Sequence, residues 1–260
     1  MAGPPLINMT RSLYILTGAS RGMGAAIAAQ LVAPGHTVLC ISRRADAELE
    51  KLGQARDVRL QQWQRDLAEP AAVAAELARW LASVDRTEYG AASLINNAGV
   101  ISRIGPVDQS DDADLSRAIR VGLEAPLLLG AAFLRATAEW SATRRILNIS
   151  SGLGRRAMAG SASYCAAKAG LDHLSRAMAL DEAGRPNGAR IVSLAPGVID
   201  TDMQIQLRSA DPGGFPDQGN FIAMKTQGRL ATPGDAAAQV IAFLHRSDFG
   251  DPVIADVRQS

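Results

Sequence analysis

The segment "TGASRGMGAAIA" at residues 17–28 is the clearest indication of the fold. It follows a short apolar run, "LYILTG" (13–18), and opens an alanine-rich helical pattern. In this strand-to-helix context a glycine pattern predicts a phosphate-binding turn, because such a turn presents backbone N–H groups at a helix N-terminus. We expect Gly18 to form the sharp turn, Gly22 to let the backbone approach a pyrophosphate, and Gly24 to let helix and strand pack closely.

Strand and helix patterns alternate along the rest of the chain. Short apolar runs rich in β-branched residues predict strands at 13–18, 37–42, 58–63, 93–99, 145–150, 190–197 and 252–257. Longer runs between them predict helices at 23–33, 45–53, 69–83, 111–139, 163–183 and 234–246. Parallel strands need long crossover connections, so the alternation predicts an α/β protein. We expect a single doubly wound Rossmann-like domain over residues 1–260, with a mostly parallel seven-stranded sheet.

Composition limits the classes of partner. Lys and Arg number 27 and Asp and Glu number 26, so the formal net charge of +1 gives no reason to expect a nucleic-acid or anionic-membrane surface. The two cysteines have no spacing typical of a metal site or a disulfide framework. The beginning of the chain lacks the pattern of a signal peptide, and no apolar run approaches the ~20 residues that span a bilayer. We expect a soluble cytoplasmic protein that binds small molecules and no metal.

The second predicted strand indicates which dinucleotide would bind. Folds that bind NAD place an Asp or Glu at the end of this strand, against the ribose hydroxyls. Here the strand ends "CISRRAD" (40–46), so Ser42 takes the place of the acid and Arg43 follows it. Guanidinium groups of Arg43 and Arg21 would suit a 2′-phosphate, which favours NADP(H). The alternative is solvated surface arginines, a reading that fits Arg44 better than the other two.

One helical segment carries a tyrosine and a lysine one turn apart. In "SGLGRRAMAGSASYCAAKAG" (151–170), Ser151 precedes Tyr164 by thirteen positions and Lys168 follows it by four. Residues four apart lie on the same helix face. Taken alone, this pair is typical of an ordinary solvated helix face.

The surrounding motifs favour a chemical role instead. They are "TGASRGMG" (17–24), Asp66 after the third strand, "NNAG" (96–99), "NISS" (148–151), "YCAAK" (164–168) and "PGVIDT" (196–201). In these motifs, their order and their spacing, the chain resembles the short-chain dehydrogenase/reductase family over almost its whole length. The resemblance implies an oxidoreductase that transfers hydride between a nicotinamide cofactor and a carbonyl carbon.

The resemblance also assigns roles to the site residues. It makes Tyr164 the general acid that protonates the carbonyl oxygen, while Ser151 donates a hydrogen bond to that oxygen. Lys168 would depress the pKa of Tyr164 and bind the nicotinamide ribose hydroxyls. The residues implied to bind substrate are Ser151, Tyr164, Met203 and Asp256. The residues implied to line the cofactor are Gly18, Ser20, Arg21, Gly22, Met23, Gly24, Arg43, Asp66, Leu67, Asn96, Asn97, Ala98, Gly99, Tyr164, Lys168, Pro196, Gly197, Ile199 and Thr201.

The segment 203–228 interrupts the alternation. It is rich in Gly, Pro and Gln and follows the sixth predicted strand. A long loop in a compact domain is usually functional, so we expect a substrate lid here. Gly213, Gly214 and Gly219 would serve as its hinge points.

Two positions depart from the family pattern. Gly122, in "RVGLEAP" (120–126), stands where the family usually has an asparagine that holds a water beside the catalytic lysine. We expect water beside Gly122 to take over that link, so that Gly122→Asn leaves kcat within about a few-fold. The ending "PVIADVRQS" (252–260) is similar to the sepiapterin reductase and benzil reductase branch. There an acid can anchor the substrate, and Asp256 could either do so or be an exposed acid at a strand end.

These observations predict NADPH-dependent reduction of a ketone or 1,2-diketone, of an aromatic or heterocyclic kind. One alternative is a 3-oxoacyl carrier-protein reductase, for which the lid offers only Arg208, Lys225 and Arg229 as basic residues. The other is a regulatory protein that senses dinucleotide without turnover, which Gly122 favours weakly. The helices at 111–139 and 163–183 are the ones that family members often pair, so we expect a homodimer, with a homotetramer as the alternative.

Overall fold

Seven parallel strands form one sheet in the computed structural model, which describes residues 11–259. Their order across the sheet is β3-β2-β1-β4-β5-β6-β7. The strands are β1 (Arg11–Thr17), β2 (His36–Ser42), β3 (Arg59–Gln64), β4 (Tyr89–Asn96), β5 (Thr143–Ile149), β6 (Arg190–Ala195) and β7 (Ile254–Asp256). The prediction of a doubly wound α/β fold is confirmed. The predicted domain limits, 1 and 260, lie outside the described residues.

Helices cover both faces of this sheet. They are α1 (Gly22–Leu31), α2 (Ala47–Ala55), α3 (Pro70–Ser83), α4 (Asp112–Ile119), α5 (Ala125–Ala136), α6 (Ala162–Ala183), α7 (Asp202–Arg208), α8 (Gln218–Thr226) and α9 (Pro233–Leu244). Helices α1 and α9 pack together on one face, and α3 and α5 pack together on the other. The sheet therefore has no solvated face along its central strands.

The central strand β1 shows why the apolar runs form such strands. Side chains alternate between the faces of a strand, and in β1 Tyr14 and Leu16 join the core under α1 and α9. Leu13 and Ile15 join the core on the opposite face. Because both sets are buried, the strand reads as a continuous apolar run rather than an alternating one.

The order of the strands positions the ligand cleft. Strand β1 lies between β2 and β4, so the connections that leave β1 and β4 run to opposite sides of the sheet. A crevice opens at such a reversal, beyond the carboxyl ends of the strands. The ends of β1 and β4 carry Thr17 and Asn96, which begin the glycine turn and the "NNAG" segment.

The helix predicted at 111–139 is divided. A π-helical turn, Arg120–Glu124, separates α4 from α5, and Pro126 lies in the first turn of α5. A π turn inserts one residue and shifts the helix face that follows it. Gly122 and Pro126 are the sequence signals of this interruption, and both residues also occur within helical patterns that continue.

The segment 203–228 contains two helices, so the prediction of a long loop is wrong. Helices α7 and α8 bury Met158, Leu207, Phe215 and Phe221 in a separate small core. In α7 the apolar residues Met203, Ile205 and Leu207 are two apart, which is not the spacing of one helix face, and the Gly and Pro residues between the two helices dominated the composition. Whether this segment acts as a lid stays a prediction.

A buried ion pair fixes the end of α6 remote from Tyr164. The side chains of Arg144 and Glu182 are 2% and 1% exposed, and their Nη2 and Oε2 atoms are 3.2 Å apart. Arg144 also donates to the carbonyl oxygen of Asn187, and Glu182 accepts from the N–H of Ala189 at 2.9 Å. These bonds satisfy most of the polar atoms that folding removes from water.

Candidate active site

A cleft of about 510 Å³ lies at the carboxyl ends of the strands. It runs from the glycine turn after β1, past α6, to the loops that precede α7. The residues implied by the family resemblance that line it are Gly18, Ser20, Arg21, Gly22, Met23, Gly24, Arg43, Asp66, Leu67, Asn97, Ala98, Gly99, Ser151, Tyr164, Lys168, Pro196, Gly197, Ile199, Thr201 and Met203. Asn96 and Asp256 are not among the lining residues.

The glycine turn is closely packed at two positions. Gly18 has a φ of +70°, and a Cβ atom there would lie 2.9 Å from Cα of Ala98. A Cβ at Gly24 would lie 2.0 Å from the carbonyl oxygen of Gly18. Asn97 closes the turn by donating from Nδ2 to the carbonyl oxygens of Thr17 and Gly18 at 3.0 and 3.1 Å. Any side chain at Gly18 or Gly24 would therefore displace the backbone of the cleft.

The N-terminus of α1 is open toward the cleft. No side chain caps this helix, and no acidic residue stands in its first turn. Unpaired N–H groups and the positive end of a helix dipole form an anion site. The residues present therefore fit the pyrophosphate of a dinucleotide at this point.

The adenosine end of the cleft is arranged by a buried serine. Ser42 accepts a hydrogen bond from the N–H of Ala19 at 2.8 Å, which joins the end of β2 to the glycine turn. Arg43 follows on the cleft with an exposed side chain. Arg21 lines the cleft too, with its Nη1 atom 2.9 Å from Asp202 of α7. The positive groups expected around a 2′-phosphate thus line one cleft.

Tyr164 lies half-buried on the cleft at the first turn of α6. Burial raises its pKa to about 12, and hydrogen bonding with Ser151 opposes that rise. The expectation that Lys168 depresses this pKa is not met, although its Nζ lies 5.6 Å from the centre of the tyrosine ring. Desolvation outweighs the hydrogen bonding with Ser151, so the phenol remains protonated at neutral pH.

Lys168 is buried at the bottom of the cleft. Its Nζ donates to the carbonyl oxygen of Ile149 at 2.7 Å. Burial lowers its pKa to about 8, while Asp172, one turn further along α6, acts in the opposite direction. The ammonium is therefore nearer to its deprotonation point than an ordinary lysine.

Asp172 is a residue of the site that sequence reasoning missed. Its side chain is buried, and it accepts hydrogen bonds from the hydroxyls of Ser150 and Ser193, each at 2.6 Å. Arg155 donates to it from Nε at 3.2 Å. Asp172 thereby joins α6 to the ends of β5 and β6 beside Lys168. Its spacing of four from the lysine was the only available signal.

Asp256 does not reach the cleft. Its carboxylate is 5% exposed and accepts from Nε and Nη2 of Arg258 at 2.9 and 2.6 Å. Hydrogen bonding from Arg258 holds the pKa of Asp256 below its usual range. The structure therefore provides no open carboxylate for a substrate at this position. Arg258, which the sequence reasoning passed over, lines the cleft instead.

The substrate end of the cleft is mainly apolar. Its walls come from the turn after Ser151 and from α7 and α8. The lining residues there are Leu153, Arg156, Met158, Met203, Gln204, Leu207, Phe221, Met224 and Arg258. Such walls suit a carbonyl compound with an apolar body.

Gly122 lies buried in the π turn, against α6. A Cβ atom at this position would lie 2.9 Å from Cβ of Ala167, the residue before Lys168. Position 122 is therefore filled by the neighbouring helix, and an asparagine would require the two helices to separate. The expectation that Gly122→Asn is nearly neutral is not supported by this packing.

In the range 11–259, no helix is long and apolar enough to cross a membrane. No group of three or more His, Cys, Asp or Glu side chains within it could hold a metal ion.

Comparison with known proteins agrees with this geometry. The family model described as short chain dehydrogenase matches residues 13–212. The chain is similar to "Benzil reductase ((S)-benzoin forming)" of Bacillus cereus, with 33% identity over 90% of this chain and 94% of the relative. It is also similar to "Sepiapterin reductase" of Meriones unguiculatus, with 31% identity over 92% and 93% of the two chains. The resemblance to that branch is thus confirmed.

A solved structure supports the same assignment of fold. It is a short-chain dehydrogenase/reductase from Burkholderia vietnamiensis, 38% identical, with a TM-score of 0.64. The match covers 96% of this chain and 98% of the other.

Proposed function

The chain belongs to the short-chain dehydrogenase family of oxidoreductases that bind nicotinamide dinucleotides, and we propose that it catalyses NADPH-dependent carbonyl reduction. The substrate is a ketone or 1,2-diketone and the product an alcohol. The observation that carries the proposal is the presence of Ser151, Tyr164 and Lys168 on the same cleft as the glycine turn.

The cofactor is held by groups spread along the cleft. The open N-terminus of α1 binds the pyrophosphate, and Arg21 and Arg43 bind the 2′-phosphate of NADPH. Asp66 and Leu67 line the adenine end, and Asn97 fixes the glycine turn from below. When bound, the cofactor supplies the hydride for the carbonyl carbon.

Tyr164 supplies the proton in this proposal. Burial raises its pKa to about 12, so the phenol is protonated whenever a carbonyl enters the cleft. Ser151, whose hydrogen bonding opposes the rise in the pKa of Tyr164, orients the carbonyl oxygen toward the tyrosine hydroxyl. The Ser151 hydroxyl accepts from the N–H of Leu153 at 3.1 Å, which leaves its own proton for the substrate.

Lys168 acts from behind the tyrosine. Its ammonium, 5.6 Å from the ring centre, stabilises negative charge that develops on the phenol oxygen as the proton leaves. It also donates to the ribose hydroxyls of the cofactor. The hydrogen bond to Ile149 fixes its position during both tasks.

The substrate class follows from the cleft walls and from the relatives. Benzil and sepiapterin, named in those relatives, are aromatic or heterocyclic carbonyl compounds. The apolar walls formed by residues such as Met158, Leu207 and Phe221 suit a ring of that kind. A carrier-protein substrate is disfavoured because two of the three basic residues that the lid offers, Arg208 and Lys225, are paired with Asp200.

We further propose a homodimer in the cytoplasm. Leu127 on α5 and Leu180 on α6 are 42% and 77% exposed, on the two helices expected to pair. Large exposed apolar side chains favour a protein interface when they lie together on one surface. Light scattering after gel filtration distinguishes the dimer from a monomer and from the tetramer expected as the alternative.

One assay tests the enzymatic proposal. Purified protein is mixed with NADPH and benzil, 1-phenyl-1,2-propanedione, sepiapterin or an acetoacetyl thioester, and NADPH oxidation is followed. We expect turnover with the diketones and its loss in Tyr164→Phe, with NADPH binding retained. Tight NADPH binding without oxidation of any carbonyl would favour the regulatory alternative.

A further inference from the structure

An arginine lies at the substrate end of the cleft in a fixed orientation. The side chain of Arg258 is 61% exposed and lines the cleft two residues after the end of β7. Its Nε and Nη2 atoms donate to the buried carboxylate of Asp256. Among the described residues Nη1 has no hydrogen-bond partner, so part of the guanidinium remains available to a ligand.

This arrangement is tied to the turn that carries Ser151. Arg155, four residues after the serine, donates to the carbonyl oxygen of Ala255 at 2.9 Å. Its Nη1 atom lies 4.0 Å from Asp256, and its Nε donates to Asp172. Arg155 therefore contacts both Asp172, which supports the catalytic helix, and Asp256, which holds Arg258 in position.

The charges around the cleft favour an anion at its substrate end. Its described lining includes two acids, Asp66 and Asp202, and each is paired with an arginine at 2.8 or 2.9 Å. Arg156 lines the cleft beside the Ser151 turn and has no ion-pair partner among the described residues. An anion entering there would meet cations and no free carboxylate.

We propose that Arg258 selects carbonyl substrates that carry a carboxylate. The inference rests on the proposed carbonyl reduction and specifies its substrate class: a keto acid with an aromatic or alicyclic body. The body packs on the apolar walls, the carboxylate accepts from the free N–H groups of Arg258, and the ketone faces Tyr164. Two parallel hydrogen bonds to a carboxylate give both charge and orientation.

The test compares an acid with its neutral ester. Phenylglyoxylate and methyl phenylglyoxylate differ in the charge of the carboxyl group and by one methyl group, and benzil serves as a neutral diketone. We expect the unaltered protein to prefer the acid, and Arg258→Gln to lower kcat/KM for the acid by about 10- to 100-fold through a raised KM. The loss for the acid should exceed the losses for the ester and for benzil by about 10-fold or more.

A second arginine provides a matched control. Arg246 makes the same two-bond contact with Asp248, at 2.8 and 2.7 Å, on the surface away from the cleft. Arg246→Gln should leave the acid-to-ester ratio unchanged. Arg258→Lys retains the positive charge and should keep part of the preference, which guards against a general folding defect in Arg258→Gln.

The two proposals fail in different ways. If benzil is reduced but the acid-to-ester ratio is the same in the unaltered protein and in Arg258→Gln, the carboxylate inference is wrong and carbonyl reduction stands. If none of the carbonyl compounds is reduced although NADPH binds, the proposed function itself is wrong and this inference falls with it.

Discussion

The Nζ atom of Lys168 donates to the main-chain carbonyl of Ile149, two residues before Ser151, at 2.7 Å. The bond joins α6 to the end of β5, so the lysine and the serine are positioned by the same strand. A small movement of β5 would therefore displace both groups relative to Tyr164. Rigid support of this kind is what proton transfer over a short distance requires.

The first prediction concerns pH. Burial lowers the pKa of Lys168 to about 8 and raises that of Tyr164 to about 12. Reduction needs both groups protonated, so kcat should be constant at low pH and fall as pH rises through about 8, where the ammonium is lost. Measuring kcat for benzil against pH checks this. Lys168→Met should lower activity by about 10²- to 10⁴-fold and remove the decline near pH 8. A wild-type profile that is flat up to about pH 10, the ordinary range for lysine, contradicts the assignment.

The second prediction concerns cofactor choice. Ser42 replaces the acid that would bind a ribose 2′-hydroxyl, and Arg43 lines the cleft beside it. NADPH should therefore be preferred to NADH, and Arg43→Ala should reduce the ratio of their kcat/KM values by about 10-fold or more. Arg44→Ala, on the adjacent exposed position, is the control. Equal kcat/KM for the two cofactors in the unaltered protein would exclude a 2′-phosphate site.

The third prediction concerns stability. Glu182→Ala leaves Arg144 as a buried charge without its carboxylate, and this should lower the free energy of unfolding by about 3–5 kcal/mol. Asp248→Ala removes an exposed partner of Arg246, and the midpoint of its urea transition should stay close to that of the unaltered protein. Urea denaturation measures both. Similar losses of stability for the two variants would show that the buried ion pair is no more important for folding than an exposed one.

The fourth prediction concerns Gly122. An asparagine there meets Ala167 on α6, so Gly122→Asn should destabilise the protein by about 1–3 kcal/mol and lower kcat through displacement of Lys168. Ala167→Gly in the same chain should restore part of both, since it removes the opposing Cβ. Thermal unfolding and benzil kinetics report the two effects. An unchanged Tm and kcat in Gly122→Asn would show that water or open space occupies this position after all.

The fifth prediction concerns helices α7 and α8. If the segment 203–228 closes over bound substrate, its amide hydrogens should exchange more slowly with NADP⁺ and a product alcohol present. Hydrogen exchange read by mass spectrometry resolves this segment from α9, which serves as the internal control. If the amide exchange rates of the segment are the same with and without both ligands, the lid hypothesis is wrong.

Local spacing explains what could be predicted from the sequence. The glycine turn and the Tyr164–Lys168 pair depend on residues close together in the chain, and their geometry follows from one turn and one helix. The inner strands could be located because they are buried on both faces and read as apolar runs, whereas the edge strand β3 alternates exposed and partly buried residues.

Contacts between distant segments explain what was missed. Asp172 meets Ser193 only because β6 lies beside β5, and Arg155 meets Asp256 only because β7 closes the sheet edge. The pKa of Tyr164 depends on burial that spacing cannot report. The sequence could not show that the Arg258 side chain turns back to bind Asp256, so this carboxylate was expected to be available to a substrate.

The ion pair between Arg21 and Asp202 joins the cofactor turn to the beginning of α7, and its two side chains are 62% and 61% exposed. An exposed ion pair of this kind contributes about 0–1 kcal/mol to stability, so Arg21 can leave Asp202 and bind a cofactor phosphate with little loss of free energy. When Arg21 binds the phosphate, the carboxylate of Asp202 at the beginning of α7 loses its partner. Because coupling between two sites is reciprocal, the position of α7 must then alter the affinity of the protein for the cofactor phosphate. Added salt, which screens exposed charges, would weaken this coupling while leaving the buried chemistry of Lys168 intact. Varying the ionic strength should therefore change the order in which cofactor and substrate bind without changing the rate of the reduction step.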